Sequence, residues 1–268
     1  MRWNPFAAPK PIVAVVRLSG AIAQGTRGTL NDAGIGPVLE RAFAKGKPKA
    51  VALQINSPGG SPVQSSLIGA RIRRLSEKHG VPVHAFVEDV AASGGYWLAC
   101  AADDIWTDAS SITGSIGVIS AGFGLEGLIG RYGIERRVHT AGESKSKLDP
   151  FRPEDPQDVA RLRELLEQIH QSFIAHVKAR RGARLSDDPR LFTGEIWVGE
   201  TAHAVGLTDG VAHLEPKMRA LYGKDIRFRR YGQRRPFLRR FGAGLADGAA
   251  GRLDAMLAER AMLARFGL

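Results

Sequence analysis

Short, almost uninterrupted apolar runs recur along the first two thirds of this chain, each followed by a stretch with helical spacing. The runs AVALQI at 50–55 and VHAFV at 83–87 lack the alternation of a strand with one wet face, so they read as strands covered on both sides. Further strand candidates lie at 12–18, 104–107, 116–119 and 135–139, and helical patterns at 31–45, 61–79, 94–101 and 125–132. Alternation at this spacing predicts an α/β fold built from parallel crossover units. A longer amphipathic helix is expected over 154–180, with Val159, Leu162, Leu165, Leu166, Ile169, Phe173, Ile174 and Val177 at three- and four-residue steps. That stripe is core or interface. A Gly/Ala linker, GAGLADGAAG, precedes a short amphipathic helix expected over 253–266, and no fixed-period repeat is present.

With 268 residues, 44% of them hydrophobic and 24% charged, the chain can bury a full core. Its one cysteine, Cys100, excludes an internal disulfide and a multi-cysteine zinc site, and reads as a small core residue. Neither a metal nor a cofactor is expected. Prolines 5, 9 and 11 interrupt the start, Arg17 ends the first apolar run, and no stretch is long enough to span a bilayer. The expected location is therefore cytoplasmic, with peripheral membrane contact as an option. The formal net charge of +11 is largely local, in KDIRFRRYGQRRPFLRRFG at 224–242. Arginines there alternate with Phe228, Tyr231, Phe237, Leu238 and Phe241, which suits either a solvated tail or contact with an anionic membrane surface. Nucleic acid is disfavoured because no binding motif accompanies the charge.

The chemistry-bearing candidates sit at turns. In DVAASGGYWLACAADD, residues 89–104, a lone serine, Ser93, stands between small residues and two glycines. A helix cap would use the hydroxyl but needs no glycine pair, whereas a tight strand-to-helix turn exposing a nucleophile beside bare N–H groups needs all of them. The turn alone leaves both readings open. The strand at 50–55 runs into NSPGG at 56–60, where Pro58 fixes a turn and the glycines uncover backbone N–H groups at the carboxyl end of a strand. A phosphate cradle would need a Walker lysine or the GxGxxG spacing, and neither is present. An oxyanion hole fits better, with each donor worth roughly 2.7–4 kcal/mol in known enzymes.

A serine nucleophile needs a base. The seven histidines, at 79, 84, 139, 170, 176, 203 and 213, occupy no motif that singles one out. The segment TAGESKSKLDPF at 140–151 offers two lysines instead. A free lysine titrates near 10.4, so it accepts a serine proton only where burial or positive neighbours lower that value. Lys145, flanked by Ser144 and Ser146, is mildly preferred over Lys147.

Five motifs occur in order: NSPGG at 56–60, AASGGYWLA at 91–99, TGSIGV at 113–118, GESKSKLDPF at 142–151 and GEIWVGETAHAVGLTDGV at 194–211. Together they resemble the signal peptide peptidase A/SohB group of serine proteases, peptidase family S49, over roughly residues 10–215. The resemblance implies the ClpP/crotonase fold for residues 11–223, flanked by a short segment at 1–10 and a basic extension with a terminal helix at 224–268. It implies a Ser/Lys dyad with Ser93 as nucleophile and Lys145 as general base. Ser115 would orient the lysine amine, and the N–H groups of Gly60 and Gly94 would form the oxyanion hole. The implied activity is endopeptidase cleavage of short, apolar or unfolded peptides through an acyl-enzyme, in a homo-oligomer whose active sites are completed between subunits. A crotonase-fold acyl-CoA enzyme or a non-catalytic scaffold are the alternatives.

Overall fold

The computed structural model describes residues 10–25, 29–142, 144–232, 263, 264 and 266. Strand β1 (Ile12–Ser19) leads to helix α1 (Asp32–Ala44), β2 (Ala50–Ser57), α2 (Pro62–His79) and the long β3 (Val83–Ala92). After the short α3 (Gly94–Ala99) come β4 (Asp104–Thr107), β5 (Ile112–Gly114), α4 (Glu126–Arg131) and the 26-residue α5 (Pro156–Arg181). The described chain closes with β6 (Ile196–Val198), α6 (Gly199–Ala204), β7 (Gly210–Val211), α7 (Leu214–Tyr222) and β8 (Arg227–Tyr231). Local chemistry sets the helix ends: Asn31 caps α1 by accepting from the Gly34 N–H, Ser61 and Pro62 open α2, and Gly80 closes it in the left-handed region.

The strands form one eight-stranded sheet in the order β6-β5-β3-β2-β1-β8, with β4 paired to β3 and β7. Every pairing is parallel except β5 with β6. Because β3 is long, its far edge is shared, β4 taking residues 84–86 and β5 residues 90–92. Alternate residues of β1 enter different cores: Ala14, Val16 and Leu18 face the main one, while Val13 and Val15 face a smaller one closed by Met218 of α7 and Ile226. Burying side chains such as Leu53 and Ile55 completely contributes about 1.5–3 kcal/mol each.

Two expected strands are absent. Residues 116–119 leave the sheet because Gly114 and Ser115 adopt φ of 90° and 50°, which turns the chain away from β5, so Ile116 is buried without a ladder partner. Residues 135–139 are exposed or half-buried and pair with no strand among the described residues; Arg136 instead bonds Asp149 and Arg137 bonds Glu135. The RFRRY run, part of the expected basic extension, is the edge strand β8 against β1. Its Phe228 and Tyr231 pack on the two cores while Arg227, Arg229 and Arg230 stay exposed. On α5 only Phe173, Val177 and Arg181 are buried, so the apolar stripe is core at its C-terminal half and exposed or half-buried before it. The helix expected at 253–266 lies outside the described residues apart from 263, 264 and 266.

Candidate active site

Two strand ends build the site. Strand β2 carries a register shift between Ile55 and Ser57, which pairs Ser57 with Ala91 and sets the Pro58–Gly60 turn beside the end of β3. The turn is tied down by the Ser57 hydroxyl, which donates to the Gly20 carbonyl at 2.7 Å. Ile22 fixes its far side: its N–H donates to the Gly59 carbonyl at 2.8 Å, and its carbonyl accepts from Ser61 at 2.7 Å. Gly60, at φ 139°, has no room for a side chain, since a Cβ would collide with the Ile22 backbone. Among the described residues the Gly60 N–H makes no hydrogen bond.

Ser93 follows directly on β3 with φ 51° and ψ −121°, a conformation that costs a non-glycine residue about 1–3 kcal/mol. The surroundings hold it there. Its N–H donates to the Gly114 carbonyl at 2.8 Å, and its carbonyl accepts from Trp97 at 3.0 Å. The hydroxyl makes no capping bond to α3, so it is not used as a helix cap. Gly94 opens α3, and its N–H is one of the first-turn donors that have no partner inside the helix.

Ser93, Gly94, Gly60 and Ser115 bound one cavity of about 800 Å³. Ser115 is held at φ 50° by its own N–H, which donates to the Glu195 carbonyl at 2.7 Å. Much of the remaining wall is apolar: Ile22, Trp97, Ile119, Ile169, Phe173 and Phe266. Lys145 is not brought to this cavity. It is exposed in the turn at 144–148 and makes no ion pair among the described residues, whereas Lys147 pairs with Asp158 at 3.3 Å.

No histidine bounds the cavity among the described residues. His84 is held by Asp104 and Tyr222, His170 contacts the Ile116 carbonyl, His176 the Trp97 carbonyl, and His213 pairs with Asp108. Burial pushes the Cys100 thiol up to about 12, which removes it as a nucleophile. Among the described residues no group of three or more His, Cys, Asp or Glu could hold a metal ion, and no helix is long and apolar enough to cross a membrane. The walls formed by Ile22 and α5 escaped the sequence reading. Trp97 was legible in principle, lying one helical turn beyond Ser93.

The family model for peptidase family S49 matches residues 76–221, more than half of the chain. Over 98% of its length the chain is 46% identical to a Na(+)/H(+) antiporter NhaA of Brucella abortus, of which it covers 38%. Protease 4 of Haemophilus influenzae is 34% identical over 78% of this chain, and the chloroplastic serine protease SPPA of Arabidopsis thaliana 31% identical over 75%. The chain spans 34% and 31% of these two proteins, so it corresponds to about a third of such relatives. Among solved structures, a mutant of the 1510-N membrane-bound stomatin-specific protease in complex with a substrate peptide shares the fold, with a TM-score of 0.54 at 15% identity over 93% of this chain and 99% of that one. The sheet is thus that of the ClpP/crotonase-like α/β class. The chain belongs to peptidase family S49.

Proposed function

We propose that this chain is a serine endopeptidase acting on short, apolar or unfolded peptides, with Ser93 as nucleophile and Lys145 as general base. The observation that carries the reading is the strained Ser93 turn, its hydroxyl making no capping bond to α3, opening into a largely apolar cavity beside the Gly60 and Gly94 N–H groups. In the first step the Ser93 oxygen attacks the carbonyl carbon of the scissile bond, and its proton passes to the unprotonated lysine amine. The two N–H groups take up the negative charge on the carbonyl oxygen. Collapse of the intermediate breaks the C–N bond, the lysine returns its proton to the leaving amine, and an ester to Ser93 remains. Water, deprotonated by the same lysine, releases the second peptide and restores the serine. Ser115 orients the amine from the cavity wall.

The lysine comes from a neighbouring copy of the chain. Lys145 is exposed and away from the cavity of its own protomer, and it makes no ion pair among the described residues. The surrounding segment carries exposed apolar side chains, Phe123, Leu128, Tyr132 and Ile134, and α4 buries none of its residues. Such a surface suits an interface that delivers the base to the next subunit. The arginines of β8 and the basic residues beyond it would supply peripheral contact with an anionic membrane. An acyl-CoA enzyme would share the oxyanion donors but would need no serine beside them, and a scaffold would need neither.

The test mixes two inactive proteins, Ser93→Ala and Lys145→Ala, under conditions that allow subunit exchange. Peptidase activity should return, because some interfaces then join an intact serine to an intact lysine. A mixture that exchanges subunits and stays inactive rejects the shared site. Failure of wild-type Ser93 to react with a fluorophosphonate probe rejects the peptidase itself.

A further inference from the structure

Trp97 occupies a place in the site that the dyad chemistry does not account for. It lies four residues after Ser93, one turn along α3, which puts its indole on the same side of the helix as the nucleophile. The indole bounds the cavity together with Ile22, Ile169 and Phe173. Its position is fixed from three directions. On α2, Gly69 leaves space for it, since a Cβ there would come within 3.3 Å of the indole Cδ1. From α5, the Phe173 ring lies 5.2 Å away at a tilt of 35°, and the His176 ring stacks on the indole at 4.3 Å with an interplanar angle of 6°. His176 also reaches the backbone of the same residue, its Nε2–H donating to the Trp97 carbonyl at 3.2 Å.

Resting on the peptidase reading above, we propose that Trp97 sizes the subsite for the substrate side chain next to the attacked carbonyl, and that His176 is its positioning residue. Trp97 is half-buried, and the parallel imidazole covers one indole face, so the uncovered part is what the cavity offers a substrate. Among the described residues no charged side chain bounds the cavity. The subsite therefore selects a large, uncharged apolar side chain, leucine or phenylalanine, over alanine and over charged residues. Phe266, an aromatic residue of the chain itself, bounds the same cavity. Burial holds the His176 imidazole below its ordinary value, with the neighbouring Arg180 charge acting in the same direction against the Trp97 carbonyl bond, so the ring stacks as a neutral group at pH 7.

The experiment measures kcat and KM of the full chain on fluorogenic peptides that differ only in the residue donating the attacked carbonyl: alanine, leucine, phenylalanine, aspartate or lysine. Wild type should prefer leucine or phenylalanine to alanine by roughly 10-fold or more in kcat/KM. Trp97→Ala should reduce that preference roughly 10-fold, while Trp97→Phe, which keeps an aromatic wall and guards against a folding defect in the alanine variant, should preserve the ranking. His176→Ala should shift the preference in the same direction as Trp97→Ala, and His176→Phe, which retains the stack, should restore it. Fluorophosphonate labelling of Ser93 is followed in every variant. Labelled variants with the wild-type preference overturn this inference alone. A uniform loss on all peptides in His176→Ala, with the preference unchanged, reduces His176 to a structural role. Absence of labelling in wild type overturns the peptidase reading and this inference with it.

Discussion

Replacing Gly59 by alanine should damage the nucleophile without removing any catalytic group. A Cβ at Gly59 would lie 2.7 Å from the Gly94 nitrogen, 2.8 Å from the Ala92 carbonyl oxygen and 2.8 Å from the Ser93 Cβ, where ordinary contact begins at 3.4 Å. Two of the three neighbours are backbone atoms, so relief requires the whole Ser93 turn to retreat by about 0.6–0.7 Å, the shortfall of those contacts. Gly59 also has φ 99°, a strain of about 1–3 kcal/mol for an L residue. Overpacking adds about 1–3 kcal/mol, for a combined loss of about 2–6 kcal/mol. Misplacement by 1 Å costs on the order of 10²-fold in rate, so kcat should fall by roughly that factor in the fraction that remains folded. Urea unfolding followed by circular dichroism gives the first number and peptide hydrolysis below the transition gives the second. Gly80→Ala is the control, because Gly80 has φ 60° but nothing within 4 Å of its Cβ. That variant should lose stability through strain alone and keep its kcat. If Gly59→Ala matches the Gly80→Ala profile, crowding beneath the serine turn is not what Gly59 prevents.

Lys145→Ala should abolish hydrolysis while Lys147→Ala stays active, since Lys147 is paired with Asp158; the reverse pattern would move the base by two positions. With a lysine base, kcat/KM should rise toward alkaline pH, and a profile flat from acid to alkali would count against it. Asp209→Asn should cost about 3–5 kcal/mol in urea unfolding, because it leaves the Arg181 guanidinium, 2% exposed, without the carboxylate 2.7 Å away. Burial alone would raise the Asp209 carboxyl, but the Arg181 hydrogen bond and charge more than offset it and hold it below its ordinary 3.8. The stability this supplies is present above about pH 3.8 and lost as pH falls through the lower folded value, so the acid-side loss should be shallower in Asp209→Asn. Flotation with anionic vesicles should capture the full chain, and equal capture by neutral vesicles, or none, would remove the membrane role of the basic strand and its continuation.

Strands β2 and β3 were legible because burial on both faces leaves an apolar run that nothing else explains. The strand expected at 116–119 failed on a backbone property that composition hides: Gly114 and Ser115 both turn left-handed, and apolar residues beyond such a bend are not a ladder. Strand β8 was obscured in the opposite way, since three exposed arginines dominate RFRRY while Phe228 and Tyr231 carry its packing. At the site, the glycine pair after Ser93 signalled a special turn, but a serine cap and an exposed nucleophile use the same letters. The missing capping bond from the Ser93 hydroxyl separates them only in three dimensions. The pairing of Lys147 with Asp158 likewise depends on α5 folding back across the 144–148 turn, which no local spacing encodes.

The position of β8 also bears on the order of folding. β1 lies between β2 and β8 and pairs its first residue, Ile12, with Arg227, so the sheet edge cannot close until almost the entire described chain is available. During synthesis β1 can dock on β2 early, yet one of its edges then stays open while α2, β3, the serine turn and α5 are being made. An open parallel edge invites pairing with other chains, and contacts this distant in sequence form slowly. Truncation before residue 227 should therefore leave a sheet that retains its serine turn but aggregates through β1, with the arginine-rich strand serving as the cover that ends this exposure.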